Sequence, residues 1–263
     1  MDRPPVNLSF ADQLALAYVL LFARAGTVLL ALPAMLGVAL PVQVRILLAA
    51  LLSAALLPAA RLAAAPAQGA LRVALMVAPE IVLGLLISFA TALAVGAVLM
   101  AGELIGNTME LQAGGLLRGV SQLSAAAQAP NVLSEALAAL AGLVFFVAGF
   151  HRSLLLALGK SLSTIPLGAA ALPGLHAVLA AAGSIFVICL ELALPLLVPL
   201  FALALVQGVL ARIAPQLNPL MAAPAAMTIA GLLLMLGYSY GLVTGIERVW
   251  EAMMDQALGW LNG

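Results

Sequence analysis

Residues 81–102 separate Glu80 from Glu103 without a single charge, and this run is one of six. The others are 25–44, 46–60, 132–150 (broken only by Glu135), 175–211 (interrupted by Glu191) and 217–246. A hydrocarbon core about 30 Å thick takes roughly 20 apolar residues of helix to cross. None of the runs alternates with the period of two that a lipid-facing barrel strand needs. The pattern predicts an all-α membrane protein of about six long helices, with 46–60 short for a span. Composition agrees. Only 8% of the residues are charged, where a soluble domain carries about 25%, so lipid or other protein must cover most of the surface. The formal net charge of zero leaves no basic face for nucleic acid. The polar start, MDRPPVNLSFADQ, lacks a basic stretch leading into a short apolar core, which predicts no cleaved signal peptide.

Prolines and glycines divide the runs. Pro58, Pro66 and Gly69 mark a connection between the second and third helices, and Pro79 reads as the start of the third. The stretch STIPLGAAALPG (163–174) reads as a loop, and APQLNP (214–219) as the turn of a helical hairpin. Pro195 and Pro199 fall inside the fifth helix. Interior prolines are tolerated in lipid only where neighbouring protein repairs the lost hydrogen bonds, so kinked or split helices are expected.

Four ionisable residues stand in or beside apolar segments: Arg24, Glu80, Glu135 and Glu191. A charge at bilayer depth costs about 2.5–3.5 kcal/mol on insertion scales and therefore faces protein or water. Either each finds a partner on a neighbouring helix, or they form a proton or ion path. None of the three carboxylates has a second one at i+3 or i+4, so no paired-carboxylate site lies on one helix face. No GxSxG, HExxH, CxxC or P-loop pattern occurs, and no catalytic, cofactor-binding or metal-binding residue is assigned. His151 and His176 lie near loop boundaries, and Cys189 reads as a small core residue. The tail ERVWEAMMD (247–255) is amphipathic; Trp250 and Trp260 could seat it at a membrane interface or on a partner.

The segment AGELIGNTMELQAGGLLRGV (101–120) is the least membrane-like stretch between two apolar runs. Its five glycines allow close backbone approach or left-handed turns. Irregular backbone at membrane depth survives only when buried in protein or lining water. Two readings stand: an exposed loop, or a loop folded into a pore.

AGELIG (101–106), Met109, FFVAGFHRSLLLAL (145–158), SLSTIPLG (161–168), ELALPL (191–196) and ARIAPQLNPL (211–220) occur in this order. Together with ARAGTVLLALPAMLG (23–37) and LPVQVRILLAALLSAALLP (40–58), they resemble the FliR/SctT family of type III export-gate membrane proteins over nearly the whole chain. The injectisome branch commonly carries a lysine soon after the RxAPQLN turn. Here the stretch is AAPAAM (222–227), so the resemblance is to the flagellar branch.

The resemblance implies an architecture: a FliP-like part over 1–174 and a FliQ-like helical hairpin over 175–263, turning at 212–219. It implies a helical gate assembly in the bacterial inner membrane with FliP and FliQ homologues, part of it toward the periplasm, with FlhB and FlhA nearby. Unfolded flagellar proteins would pass through it. The segment at about 106–122 would be the pore plug, with Gly106, Met109, Glu110, Ala113, Leu116 and Arg118 in it. Gly106 and Met109 match the family pattern. Glu110 replaces a usual glycine, Ala113 and Leu116 replace bulky aromatics, and Arg118 lies near a common acidic position. Arg24, Glu80, Glu103 and Glu191 are expected to serve helix packing or buried charge pairing. Arg212, Pro215, Gln216 and Asn218 are expected at a cytoplasmic turn that meets partners. Counting Lys and Arg over six spans puts Arg212 on the opposite side; the resemblance is preferred, because helices that do not all span remove the basis of the count. The other function class compatible with the residues is a secondary transporter using Glu80, Glu135 and Glu191.

Overall fold

The computed structural model describes residues 10–29, 41–62, 70–109, 132–169, 175–213 and 219–260. Among them the chain is helical: α1 Phe10–Val28, α2 Val42–Leu56, α3 Ala70–Thr108, α4 Val132–Val147, α5 Phe150–Thr164, α6 Leu175–Ile213, α7 Pro219–Gly237 and α8 Ser239–Trp260. A 3₁₀ turn, Leu57–Ala59, follows α2 around Pro58. One isolated parallel bridge joins Leu62 and Leu167. This is an all-α membrane protein. Among the described residues, three helices are long and apolar enough to cross a bilayer, or five when two bent pairs count as single spans.

Helix bounds differ from the apolar runs where propensity and polarity part ways. The first helix begins at Phe10, fifteen residues before the run 25–44, because ADQLALAYVLLFA is already rich in helix formers. Asp12 in its first turn complements the helix dipole. Pro79 does not start the third helix but lies inside α3. The proline deprives the Leu75 carbonyl of its donor, yet apolar helix formers on both sides carry the helix through. Pro195 and Pro199 likewise sit within α6. Residues 101–108 of the glycine-rich segment are not loop: they complete α3, and Met109 forms its closing turn. The expected plug boundary at 106 therefore falls within a helix.

The chain packs as two compact units. One comprises 1–92, 149–182 and 252–263; the other comprises 93–148 and 183–251. In the first, Ala17, Leu20 and Leu21 of α1 pack with Leu162 of α5 and Leu167, with Leu57, Leu62 and Met76 around them. Tyr18 donates from α1 to the Ala50 carbonyl of α2 at 3.2 Å.

In the second unit the helices meet through small residues, which let backbones come close where lipid supplies no hydrophobic drive. A Cβ on Gly102 would stand 2.6 Å from Ser134 Cα, on Gly96 3.1 Å from Ile185, and on Gly245 2.6 Å from Leu192. Thus α3 meets α4 and α6, and α6 meets α8. Trp250 is buried rather than at an interface: its ring lies 4.8 Å from that of Phe145, and its N–H points to the Ala141 carbonyl at 3.4 Å. The reason is periodic. Leu242, Ile246, Val249 and Trp250 share one buried face, and Arg248 and Glu251 occupy the exposed one.

Candidate functional site

The sequence ST-IPLG builds one side of a buried polar cluster. Pro166 disfavours helical backbone in the residue before it, and Ile165 is extended (φ −122, ψ 99), which ends α5. Its carbonyl is thereby freed from the helix ladder. Ala169 N–H then closes a turn on the Pro166 carbonyl at 3.1 Å. Gly168 takes φ +79 in it, a conformation open to glycine. A Cβ there would also stand 2.5 Å from Met76 Cε.

Into this turn reach two fully buried charges, Arg24 of α1 and Glu80 of α3. Arg24 Nε donates to Glu80 Oε2 at 2.5 Å. Its Nη1 donates to Ser161 Oγ at 3.2 Å, and Nη1 and Nη2 both donate to the Ile165 carbonyl at 3.2 Å. Glu80 Oε1 accepts from Gly168 N–H at 2.7 Å. Both carboxylate oxygens and all three guanidinium nitrogens thus have partners, the condition under which a buried ion pair is tolerated. The cluster ties α1, α3 and the end of α5 together. Leu167 N–H, bonded to the Arg61 carbonyl at 2.8 Å, anchors the same turn to the segment after α2.

Close approach of α1 and α3 is secured one turn away. Gly84, four residues after Glu80, lies against Thr27, three residues after Arg24; a Cβ on Gly84 would overlap Thr27 Oγ1 and the Arg24 carbonyl oxygen. Thr27 Oγ1 itself bonds back to the Ala23 and Arg24 carbonyls at 3.0 and 2.9 Å.

The second feature is the end of α3. Gly106 and Met109 are buried. Met109 N–H completes the helix on the Ile105 carbonyl at 2.9 Å. Its own carbonyl accepts from Thr228 Oγ1 of α7 at 2.9 Å. The Met109 side chain fills the space above Gly231, one turn along α7, where a Cβ would come 2.5 Å from Cε and Cγ. The helix end that leads into the glycine-rich segment is therefore fastened to α7 by one hydrogen bond and one side chain in a glycine notch. Gly231→Ala is expected to cost about 1–2 kcal/mol by overpacking, and Met109→Ala about 2–3 kcal/mol by opening a cavity. Combined, they should fall short of their sum by at least about 0.5 kcal/mol. Equilibrium unfolding in detergent measures this; strict additivity would mean that the two groups do not act on each other.

Of the four charges named for packing, Arg24 and Glu80 are buried, while Glu103 and Glu191 are exposed. Glu103 lies two residues beyond buried Ala101, about 200° round the helix from it. Glu135 is exposed in the first turn of α4. Arg212 is exposed in the last turn of α6. Glu110, Ala113, Leu116 and Arg118, and Pro215, Gln216 and Asn218, lie outside the described residues. Sequence reasoning missed Ser161, Ile165, Gly168, Thr228 and Gly231. The signals present were the IPLG turn and glycines at helical spacing from Glu80 and Thr228.

Along the other edge of α7, Pro195 and Leu196 of α6 with Ala230, Leu233, Leu234, Gly237 and Tyr238 line an apolar cavity of about 550 Å³. It adjoins the break between α7 and α8, which bend by 69°.

Two comparisons with known proteins bear on this arrangement. The family model described as bacterial export proteins, family 1, matches residues 15–253. The flagellar biosynthetic protein FliR of Escherichia coli (strain K12) is 36% identical over 141 residues, which are 53% of this chain and 52% of that relative. The chain thus spans about half the length of that relative in the alignment.

Proposed function

The chain belongs to the bacterial export proteins, family 1, and from that premise we propose that it is a non-catalytic subunit of a flagellar type III protein-export gate in the bacterial inner membrane. The observation that carries the reading is the family match across 15–253, which includes the buried cluster, the Met109 fastening and the hairpin. The similarity to a flagellar biosynthetic protein supports the flagellar branch. In this reading residues 1–174 are the FliP-like part and 175–263 the FliQ-like hairpin. FliP and FliQ homologues complete the assembly, FlhB and FlhA adjoin it, and unfolded flagellar proteins are its cargo.

In this reading each feature has a mechanical task. The Arg24–Glu80 cluster makes α1, α3 and the α5 turn one block. Met109 fixes where α3 ends, and so where the following segment, residues 110–122, must begin. That segment plugs the pore, and α7 holds its root through Thr228 and Gly231. The competing reading, a transporter coupled through buried carboxylates, loses its first candidate, because Glu80 is already neutralised by Arg24 and occupied at both oxygens.

Deleting 110–119, which spares the helix through Met109, tests the plug. The assembled gate should then admit small solutes at least tenfold faster than the intact one, read as dye entry into cells or loaded vesicles. An assembled deletion variant with unchanged permeability would remove the plug from the proposal. Failure of the intact chain to co-purify with FliP and FliQ homologues would remove the gate itself.

A further inference from the structure

Helix α7 is fastened along one edge and has room along the other. On the fastened edge Thr228 Oγ1 donates to the Met109 carbonyl at 2.9 Å, and Gly231 leaves the notch that the Met109 side chain occupies. Ala230, Leu233, Leu234 and Gly237 lie about 140° round the helix from that pair. They border the cavity of about 550 Å³, which Pro195 and Leu196 of α6 line from the other side.

The far end of α7 has the make-up of a joint. Gly237 is its last residue, and a Cβ there would meet nothing within 4 Å, so no neighbour requires a glycine; what it supplies is backbone freedom. Tyr238, next in the chain, is tied to α8. Its ring lies over Gly241, where a Cβ would overlap it, and its carbonyl accepts from Leu242 N–H at 3.0 Å. One backbone bond, Tyr238 N–H to the Leu234 carbonyl at 2.8 Å, crosses the joint. The 69° bend between α7 and α8 therefore falls beside the cavity, at a residue without a side chain. Hinges are a few element-terminal residues of this kind. At the other contact, methionine is unbranched and flexible, so its side chain can leave the Gly231 notch without moving its own backbone.

We propose that α7 is a two-position latch: it rocks about Gly237 into the cavity beside α6, away from Met109, and so releases the end of α3. A shift of about 1–2 Å, ordinary for packed helices, takes the Thr228–Met109 bond past hydrogen-bonding distance. In the seated position Met109 fills its notch and the cavity is open. In the released position Ala230 and Leu233 close the cavity against Pro195, and the last turn of α3 is untied. Apolar burial gained at the cavity offsets burial lost at the notch, which keeps the two positions close in free energy. The inference rests on the export-gate reading only for its consequence, that release loosens the root of the plug.

The test reads amide hydrogen exchange of residues 105–109 in the full chain, held in lipid nanodiscs. Thr228→Val, which removes the bond and keeps the shape, should speed exchange at least about fivefold. Two changes away from Met109 should slow it: Ala230→Phe, which fills the cavity, by at least about threefold, and Gly237→Ala, which stiffens the joint, by at least about twofold. Thr228→Val combined with Ala230→Phe should return to within about twofold of wild type. The methyl added in Gly237→Ala meets nothing, so that variant decides the matter even where Ala230→Phe disturbs the fold. Unchanged exchange at 105–109 in Gly237→Ala, or in Thr228→Val, would overturn the latch, since a fixed α7 transmits nothing from its free edge. Dye entry through the assembled gate is read on the same variants. If it ignores Thr228→Val while the exchange pattern holds, the plug reading fails and the latch stands.

Discussion

Glu80→Ala is expected to lower the stability of the chain by about 3–5 kcal/mol, because it leaves a fully buried arginine without its counter-ion. Arg24 would keep its bonds to Ser161 Oγ and the Ile165 carbonyl, which are neutral acceptors and do not balance a charge. The Gly168 N–H would also lose its acceptor, adding a further cost of about 1–3 kcal/mol if it stays buried. Removing both charges separates these effects. With Arg24→Met and Glu80→Met together, no lone charge remains, and only the turn groups are left unpaired. The expected order of unfolding free energy in detergent is wild type, then the double variant, then Glu80→Ala as the least stable. A single variant within about 1 kcal/mol of wild type would mean that water reaches Arg24 and that the cluster is not sealed. In the proposed gate, loss of Glu80 should also abolish export, since the turn that ends α5 would no longer be tied to α3.

Gly84→Val carries the next largest effect. Its Cβ would overlap both a side-chain oxygen, Thr27 Oγ1, and a backbone oxygen, that of Arg24. The first can be removed: Thr27→Ala opens room. The second cannot move without shifting α1 as a body, and that shift draws Arg24 away from Glu80. Overpacking of a tight contact costs typically about 1–3 kcal/mol, and weakening of the adjacent ion pair adds to it. Thr27→Ala should therefore rescue Gly84→Val only in part. The check is the thermal midpoint of the purified chain for the two single variants and the double. Complete rescue by Thr27→Ala would place all of the obstruction in the hydroxyl, and would show that the backbones have slack.

What could be read in advance follows from the range of each interaction. Apolar runs announce helices because burial repeats every three to four residues within a segment: in α3, Leu83, Ile87, Ala90, Ala94, Ala97, Ala101 and Ile105 are all buried. Arg24 and Glu80 stood out as charges in apolar surroundings, yet their pairing was not legible. They are 56 residues apart, and no spacing rule connects two different helices. The IPLG turn was visible as a break, but not that its freed carbonyl and N–H serve a charge pair. Glycine misled where its local meaning and its packing meaning differ. In 101–108 it suggested loop, whereas Gly102 is small so that α4 can approach at Ser134. Pro79 misled similarly, since proline is common at a helix start and tolerated within a long apolar helix. Trp250 suggested an interface by residue type alone; the periodicity of its neighbours held the better answer.

The polar cluster also sets a timetable. Arg24 leaves the ribosome first, Glu80 follows 56 residues later, and Ser161 and Ile165 follow after 137 and 141. At about 5–20 residues per second, the guanidinium waits roughly 3–11 s for its counter-ion and roughly 7–28 s for its last acceptors. The first helix is therefore made with an unanswered charge, whose last acceptors come only once more than half of the chain exists. Biogenesis, rather than the folded chain, is where this arginine is most exposed to error.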